Sequence, residues 1–372
     1  MRIIFVHRTT VDYTVETPYL RAVGGTEAGI SYLAAELASF GHSVIHLANT
    51  SAPGTYRGVE CLNHHASLNK ELLNSADVVV VANEAAGAML RDMGVQKPLV
   101  LWAHHADDQA PIEPLEFSRE RKAWTAFAFV SQWQMEEFCR VYWLPRERAR
   151  VMRNAVSPAV AGTSARPPWY LLKTPPVLVY TSAPYRGLDV LLKAFPAVRH
   201  AIPEARLRIF SGLSTTRGGP EDNQYADLQR QCLLTAGAEY AGPVSQSALA
   251  IALRDAAALA YPCTYPETSC IAALEAMAMG ATVITTRLGA LPETLAGHGV
   301  LIDSADQPEP LAANFSAAVV STLKSQRLLP AAASARRTAQ IDYIRENYLW
   351  PQRARAWEEW LAQLAGAGKA SI

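Results

Sequence analysis

At 372 residues the chain exceeds what one hydrophobic core usually organises, so two domains are expected, each long enough to bury a core. Half of the residues are hydrophobic, and Lys plus Arg balances Asp plus Glu at 34 each, with no arginine-rich cluster interleaved with aromatics. This globular, neutral composition argues against a nucleic-acid partner.

The N-terminus, Met1-Arg-Ile-Ile-Phe-Val-His7, is too short and too polar past Val6 for a signal peptide and reads as a buried strand. Further short apolar runs follow at Ser43–Ala48, Asp77–Ala82, Leu99–Ala103 and Ala126–Val130, separated by helical patterns. Their spacing implies parallel βαβ units. Between the first two, Thr26–Phe40 places Ile30, Leu33, Ala34 and Leu37 at helical spacing, and Gly41 supplies a stop.

The pattern lapses into Pro, Ala, Gly and Ser over Asn154–Pro176, where the interdomain linker is expected, with a hinge around Pro158–Pro168. Strands then resume at Val177–Thr181, Leu207–Phe210, Glu239–Ala241, Ala257–Tyr261 and Thr282–Thr285. The last segment, Tyr348–Leu364, carries an apolar stripe of Trp350, Ala354, Trp357, Leu361 and Leu364. The expected organisation is an N-terminal domain over 1–156, a C-terminal domain over 157–347, and a helix at about 348–364 packing back on the first. Disorder is expected only past Gly366.

No apolar run reaches the roughly 18 residues that span a bilayer. Five scattered cysteines, Cys61, Cys139, Cys232, Cys263 and Cys270, form no CxxC pair, which favours a reducing compartment over zinc or redox chemistry. A cytoplasmic protein is expected. Arg119–Arg153 holds eight basic and four acidic residues and leaves peripheral contact with the inner face of the membrane open.

Open parallel sheets bind ligands beyond the carboxyl ends of their strands, so function is sought in those loops, with both sets expected to face one central cleft. Gly24-Gly25-Thr26 opens the first helix and offers backbone amides to phosphate, without the GxGxxG spacing of dinucleotide folds. The richest stretch runs from Asp255 to Gly280: a buried strand, a turn, then a helix ended by glycine. Glu267 lies in the turn and Glu275 eight residues later. Thr268 or Ser269 is expected to cap the helix, with free amides near Cys270 and Ile271 facing an anion. Carboxylates flanking a phosphate-binding end suit a molecule with hydroxyls on both sides of a diphosphate, as in a nucleotide sugar.

This stretch resembles the E-x7-E motif of the family 4 retaining GT-B glycosyltransferases, including Glu275-Ala-Met-Ala-Met-Gly280. The resemblance continues through Gly24-Gly25, Gly41-His-Ser-Val, Ser131-Gln-Trp-Gln, Asn154-Ala-Val and Gly289-Ala-Leu-Pro-Glu293. It implies two Rossmann-like, doubly wound parallel-sheet domains of the GT-B type. It also implies that Glu267 contacts donor-sugar hydroxyls and Glu275 the ribose. Tyr180-Thr-Ser-Ala-Pro-Tyr-Arg-Gly is similar to the family's diphosphate loop, with Arg186 matching its lysine. The loop's first basic residue is missing, Thr181 or Ser182 standing there instead. Thr268-Ser-Cys270 replaces the common Gly-Phe-Gly and is expected to narrow the pocket. His104 resembles the family's histidine near the donor sugar and acceptor, its register against His105 open by one. The base is expected to be read by backbone groups near Gly242-Pro-Val244.

His-His-Ala-Asp-Asp at 104–108 also invites a metal reading, but adjacent strand-end residues point to opposite sides, and no Asp-x-Asp occurs. The expectation is therefore a metal-independent, cofactor-free, retaining transfer from a nucleotide-diphosphate sugar to a glycan, lipid-linked or small-molecule acceptor. The alternatives are a nucleotide-sugar epimerase on the same fold and a non-catalytic nucleotide-sugar-binding protein.

Overall fold

The computed structural model describes residues 1–212 and 225–370. The chain forms two compact units, one of Met1–Ser157 with Tyr348–Ile372 and one of Pro158–Asn347. Among the described residues no helix is long and apolar enough to cross a membrane.

In the first unit, β1 (Arg2–Val6), β2 (Ser43–Ala48), β3 (Gly54–Tyr56), β4 (Val59–Asn63), β5 (Val78–Ala82), β6 (Leu99–Ala103), β7 (Ala126–Phe129) and β8 (Ala149–Val151) form one sheet. Their order is β3-β4-β2-β1-β5-β6-β7-β8. The ladder is parallel except for β3, which pairs antiparallel to β4. The inner strands are apolar on both faces, as a sheet covered by helices requires: all of Val78–Ala82 and Leu99–Ala103 is buried. The final helix, Trp350–Ala370, belongs to this unit's core and continues past Gly366. Its Trp350, Ala354, Trp357 and Leu361 are buried, with Trp357 edge-on to Trp102 at 4.8 Å between centroids.

In the second unit, β9 (Val177–Tyr180), β10 (Arg206–Ile209), β11 (Ala238–Tyr240), β12 (Ala258–Tyr261), β13 (Thr282–Thr286) and β14 (Val300–Ile302) lie wholly parallel in the order β11-β10-β9-β12-β13-β14. This is the 3-2-1-4-5-6 order of a doubly wound sheet. Strand order reverses between β9 and β12 here, and between β1 and β5 in the first unit, so a ligand crevice is expected beyond those strand ends.

Four strands escaped the sequence reading, all at or next to a sheet edge and three of them only three residues long: β3, β4, β8 and β14. The β3–β4 hairpin turns on Arg57 and Gly58, both with positive φ, the conformation a tight two-residue hairpin turn demands. The expected linker over Asn154–Pro176 is mostly not a linker. From Pro158 onward it belongs to the second unit and forms short helices at Pro158–Ala161 and Trp169–Leu172. Trp169 is the reason: its ring is buried and its Nε1 donates to Gln326 Oε1 at 3.0 Å.

Candidate active site

In the second unit the crevice at the strand reversal is occupied by an ion pair. Arg186 ends the short helical turn Pro184–Arg186 after β9, and Glu267 lies in the loop after β12. Arg186 Nη1 donates to Glu267 Oε1 at 2.8 Å and to Oε2 at 2.9 Å. Tyr261, the last residue of β12, adds its hydroxyl to Oε1 at 2.5 Å, and Ser182 Oγ donates to the Tyr261 hydroxyl at 3.2 Å. The Glu267 side chain is 5% exposed and that of Arg186 26%. A carboxylate this buried needs such partners to replace the hydration it has lost. Burial opposes the charge on Arg186, but Glu267, Tyr261 and Tyr185 together outweigh it and hold the guanidinium firmly protonated. Its plane lies near the faces of Tyr265, at 4.6 Å, and Tyr185, at 5.5 Å. Arg186 Nε is buried with no hydrogen-bond partner among the described residues.

Two glycines lock this geometry. Gly187, at φ +111°, follows Arg186, and a Cβ there would stand 2.1 Å from the Pro262 carbonyl oxygen. Gly289, at φ +56°, passes so close to the Glu267 backbone that a Cβ would meet its carbonyl oxygen at 2.4 Å, and Ala290 N–H donates to that same oxygen at 2.7 Å. Only glycine fits positive φ and such contact at once.

Behind Glu267 runs the helix Ile271–Met279, ended by Gly280 at φ +80°. Neither Thr268 nor Ser269 caps it. The N-cap is Cys270, with no side-chain cap bond, and Ile271 N–H turns back to the Ser269 carbonyl at 3.1 Å. Thr268 and Cys270 point inward and are buried, while Ser269 and Ile271 are half-buried, so of the three residues expected to narrow the pocket only Ser269 reaches solvent appreciably. Burial first, and then the charge of Glu267, raise the thiol pKa of Cys270 well above its ordinary value and that of Cys263 to about 12. Glu275 is buried one turn into the helix, 3% exposed. Thr181, at the carboxyl end of β9 where the basic residue is missing, has a buried hydroxyl with no partner among the described residues. Val244 follows β11 and is half-buried, three strands from β12, or about 14 Å at the usual strand spacing.

In the first unit, Gly24 is the N-cap of the helix Gly25–Ser39. The carboxylate of Glu27 folds back against it: a Cβ on Gly24 would lie 2.3 Å from Glu27 Oε2. The sequence reading missed Glu27, whose carboxylate stands where the phosphate expected at Gly24 and Gly25 would approach. Burial raises the Glu27 pKa.

Asn83, at φ +59° after β5, joins this helix start to the two histidines. Its Nδ2 donates to Thr26 Oγ1 at 3.0 Å, and its Oδ1 accepts from the backbone N–H of His104 at 2.6 Å and of His105 at 3.2 Å. Gln134 holds the other side, donating to the carbonyls of Ala103, at 3.1 Å, and His105, at 2.7 Å. The His104 ring packs by Trp102, 4.5 Å between centroids, and against Gly29. Burial, then His105 and His7, push its pKa down to about 3, so it is neutral.

A second group lies at this end, and its pairing was not read from sequence. Tyr13 places its hydroxyl 2.7 Å from His7 Nδ1 and 3.0 Å from His46 Nε2. All three are buried, and burial sets the histidine pKa values at about 4 for His7 and about 3 for His46. Their only sequence signal was a polar residue inside or just past an apolar strand. Among the described residues no three His, Cys, Asp or Glu side chains cluster as metal ligands would.

Residues 175–320 match the family described as Glycosyl transferases group 1. No curated protein matches the chain in sequence. Among solved structures it is similar to a sucrose-phosphate synthase from Thermosynechococcus elongatus, at 15% identity and TM-score 0.70 over 98% of this chain and 99% of that one. A glycosyltransferase from Rickettsia africae ESF-5 matches at 16% identity and TM-score 0.71 over 98% of both chains. Anabaena HepE, solved in complex with UDP-glucose, matches at 15% identity and TM-score 0.68 over 98% of this chain and 100% of that one. These likenesses are likenesses of fold.

Proposed function

From the premise that this chain is a nucleotide-sugar-dependent glycosyltransferase, with a group 1 domain over residues 175–320 and the GT-B fold, we propose a retaining, metal-independent transfer from a nucleotide-diphosphate sugar. The observation that carries the reading is the buried Arg186–Glu267 pair at the strand reversal of the second unit. It places a fixed cation for a diphosphate beside a fixed acceptor for sugar hydroxyls. Arg186 keeps its buried, unpartnered Nε for a phosphate oxygen while Nη1 holds Glu267. The amides of Ser269 and Cys270 and the Thr181 hydroxyl stand in for the absent basic residue. Glu275 takes the ribose, and the backbone near Val244 takes the base, at a distance a nucleoside diphosphate can bridge.

The bond from the sugar's anomeric carbon to the diphosphate oxygen breaks, and a bond to the acceptor oxygen forms on the same face. The acceptor proton passes to the departing phosphate oxygen. Catalysis rests on electrostatic stabilisation of that leaving group. On the first unit, we assign Gly24 and Gly25 to close backbone approach of a sugar, and His104 or His105 to a hydrogen bond with a sugar or acceptor hydroxyl. The acceptor class is a glycan, a lipid-linked glycan or a small molecule. Peripheral contact with anionic lipid through Arg119–Arg153 would be led by Trp143, 78% exposed; vesicle flotation with Trp143→Ser tests it. HepE was solved with UDP-glucose, which makes that donor the first to try.

The test is nucleoside diphosphate release from UDP-, GDP- and ADP-sugars in EDTA, with the product anomer read by NMR. Release in EDTA with the donor's configuration kept supports the proposal. Release only with added divalent metal, or an inverted anomer, refutes the corresponding part. Interconversion of donors without release identifies an epimerase.

A further inference from the structure

The opposite end of the second unit's sheet holds a cavity of about 360 Å³ that plays no part in the site described above. It opens at the amino ends of the strands, where Val177 begins β9, Arg206 begins β10 and Ala256 precedes β12. A four-residue strand is about 13 Å long, so β12 separates this cavity from Glu267 by at least that distance.

Four arginines line the cavity, Arg166, Arg206, Arg254 and Arg337, against one acidic residue, Asp255. The local charge is therefore 4 − 1 = +3, in a chain whose total is zero. Two of the arginines are committed to the fold. Arg166 Nη1 pairs with Asp255 Oδ1 at 2.9 Å, and Arg337 donates to the carbonyls of Gly280, Met279 and Arg166. The guanidinium of Arg206 has no hydrogen bond or ion pair among the described residues, and Arg254 Nε is buried without a hydrogen bond, in an ion pair at 3.6 Å with the same Asp255 that Arg166 holds. A concave wall with one unpaired guanidinium and two more sharing a single carboxylate is an anion site by composition. Pro168 and Leu172 on the same wall offer apolar surface to a carbon skeleton.

We propose that this cavity binds a small molecule carrying a phosphate monoester, with Arg206 and Arg254 on the phosphate and the Pro168–Leu172 wall against its carbon body. A dianion matches the surplus charge, and the volume admits a phosphorylated sugar. The site is separate from donor binding and does not depend on it.

The test is calorimetric titration of the full chain with hexose 6-phosphate, inorganic phosphate and free hexose, each repeated in saturating nucleotide diphosphate. The expected result is binding of the hexose phosphate that nucleotide leaves unchanged, at least tenfold tighter than inorganic phosphate, with no binding of free hexose. Arg206→Ser, an exposed residue whose guanidinium supports nothing in the fold, should weaken it about tenfold, and the double variant with Arg254→Gln about 100-fold. Phosphate alone binding as tightly would mean a bare anion site and overturn the assignment to a phosphorylated molecule. Competition by the nucleotide, equal affinity in Arg206→Ser, or no binding of any probe would overturn the site itself.

Discussion

Arg186 donates through a single nitrogen, Nη1, to both carboxylate oxygens of Glu267, while its buried Nε has no hydrogen-bond partner among the described residues. The same carboxylate that is to hold the sugar thus fixes the cation that is to hold the diphosphate. The two functions are coupled through one ion pair. Glu267→Gln keeps the shape and removes the charge, and Arg186→Lys keeps the charge and removes the fork. Each should lower kcat/KM for the donor about 10- to 100-fold, as loss of a charge-assisted bond does. The double variant should cost less than the sum, because both changes break one unit. Additive losses in a steady-state cycle would show that the residues act independently.

Gly187 and Gly41 share a positive φ but not an environment. At Gly187, φ +111°, a Cβ meets the Pro262 carbonyl oxygen at 2.1 Å; at Gly41, φ +88°, it meets nothing within 4 Å. Gly41→Ala should cost about 1 kcal/mol, the conformational penalty alone. Gly187→Ala should cost about 2–4 kcal/mol and displace Arg186. Urea denaturation of the two variants measures the difference.

His7, His46 and His104 have folded pKa values of about 4, 3 and 3, well below the ordinary 6.5, chiefly through burial. The unfolded chain then binds more protons between pH 6.5 and about 3. Their contribution to stability is whole above pH 6.5 and is lost as pH falls through the folded values, at up to about 1.4 kcal/mol per pH unit for each group. Stability measured from pH 7.5 down to 5 should fall, and His46→Phe should flatten the slope. An unchanged slope in that variant would place the dependence elsewhere.

Asn83 already has φ +59°, so Asn83→Gly removes its amide without straining the backbone. The bridge from Thr26 to His104 and His105 is lost with it. Turnover should fall about tenfold and stability by about 1–2 kcal/mol, while nucleotide affinity, which the proposal assigns to the second unit, stays as it was. A matching loss of nucleotide affinity, seen by calorimetry, would contradict this division of labour.

Most of the fold was legible because buried parallel strands are unbroken apolar runs. Ser43–Ala48 and Leu99–Ala103 were read to the residue. The edge strands were not, since Ala149–Val151 carries an arginine and pairs on one side alone. The proline-rich stretch after Ser157 misled because proline frequency reports the lack of long elements, not the lack of packing, and Trp169 is what anchors it. At the site, the strand-turn-helix pattern drew attention to Glu267 and Glu275, and only the resemblance of its loop to the family's drew attention to Arg186. That Arg186 and Glu267 bond each other across 81 residues is a tertiary fact that no local pattern encodes. Tyr13, His7 and His46 escaped for the same reason: each looks unremarkable alone, and only the strand order brings them together. Glu27 was passed over because an acidic residue in a first helical turn is ordinary, and its fold-back onto Gly24 shows only in three dimensions.

The central claim is that the second unit holds a nucleotide diphosphate at the Arg186–Glu267 pair, and calorimetric titration of UDP, GDP and ADP in EDTA tests it most directly. Wild type should bind one of the three, Arg186→Gln should bind it at least tenfold more weakly, and Glu275→Ala should lose affinity for the nucleotide through the ribose. Equal binding by wild type and both variants, or no binding of any nucleotide, would contradict the account.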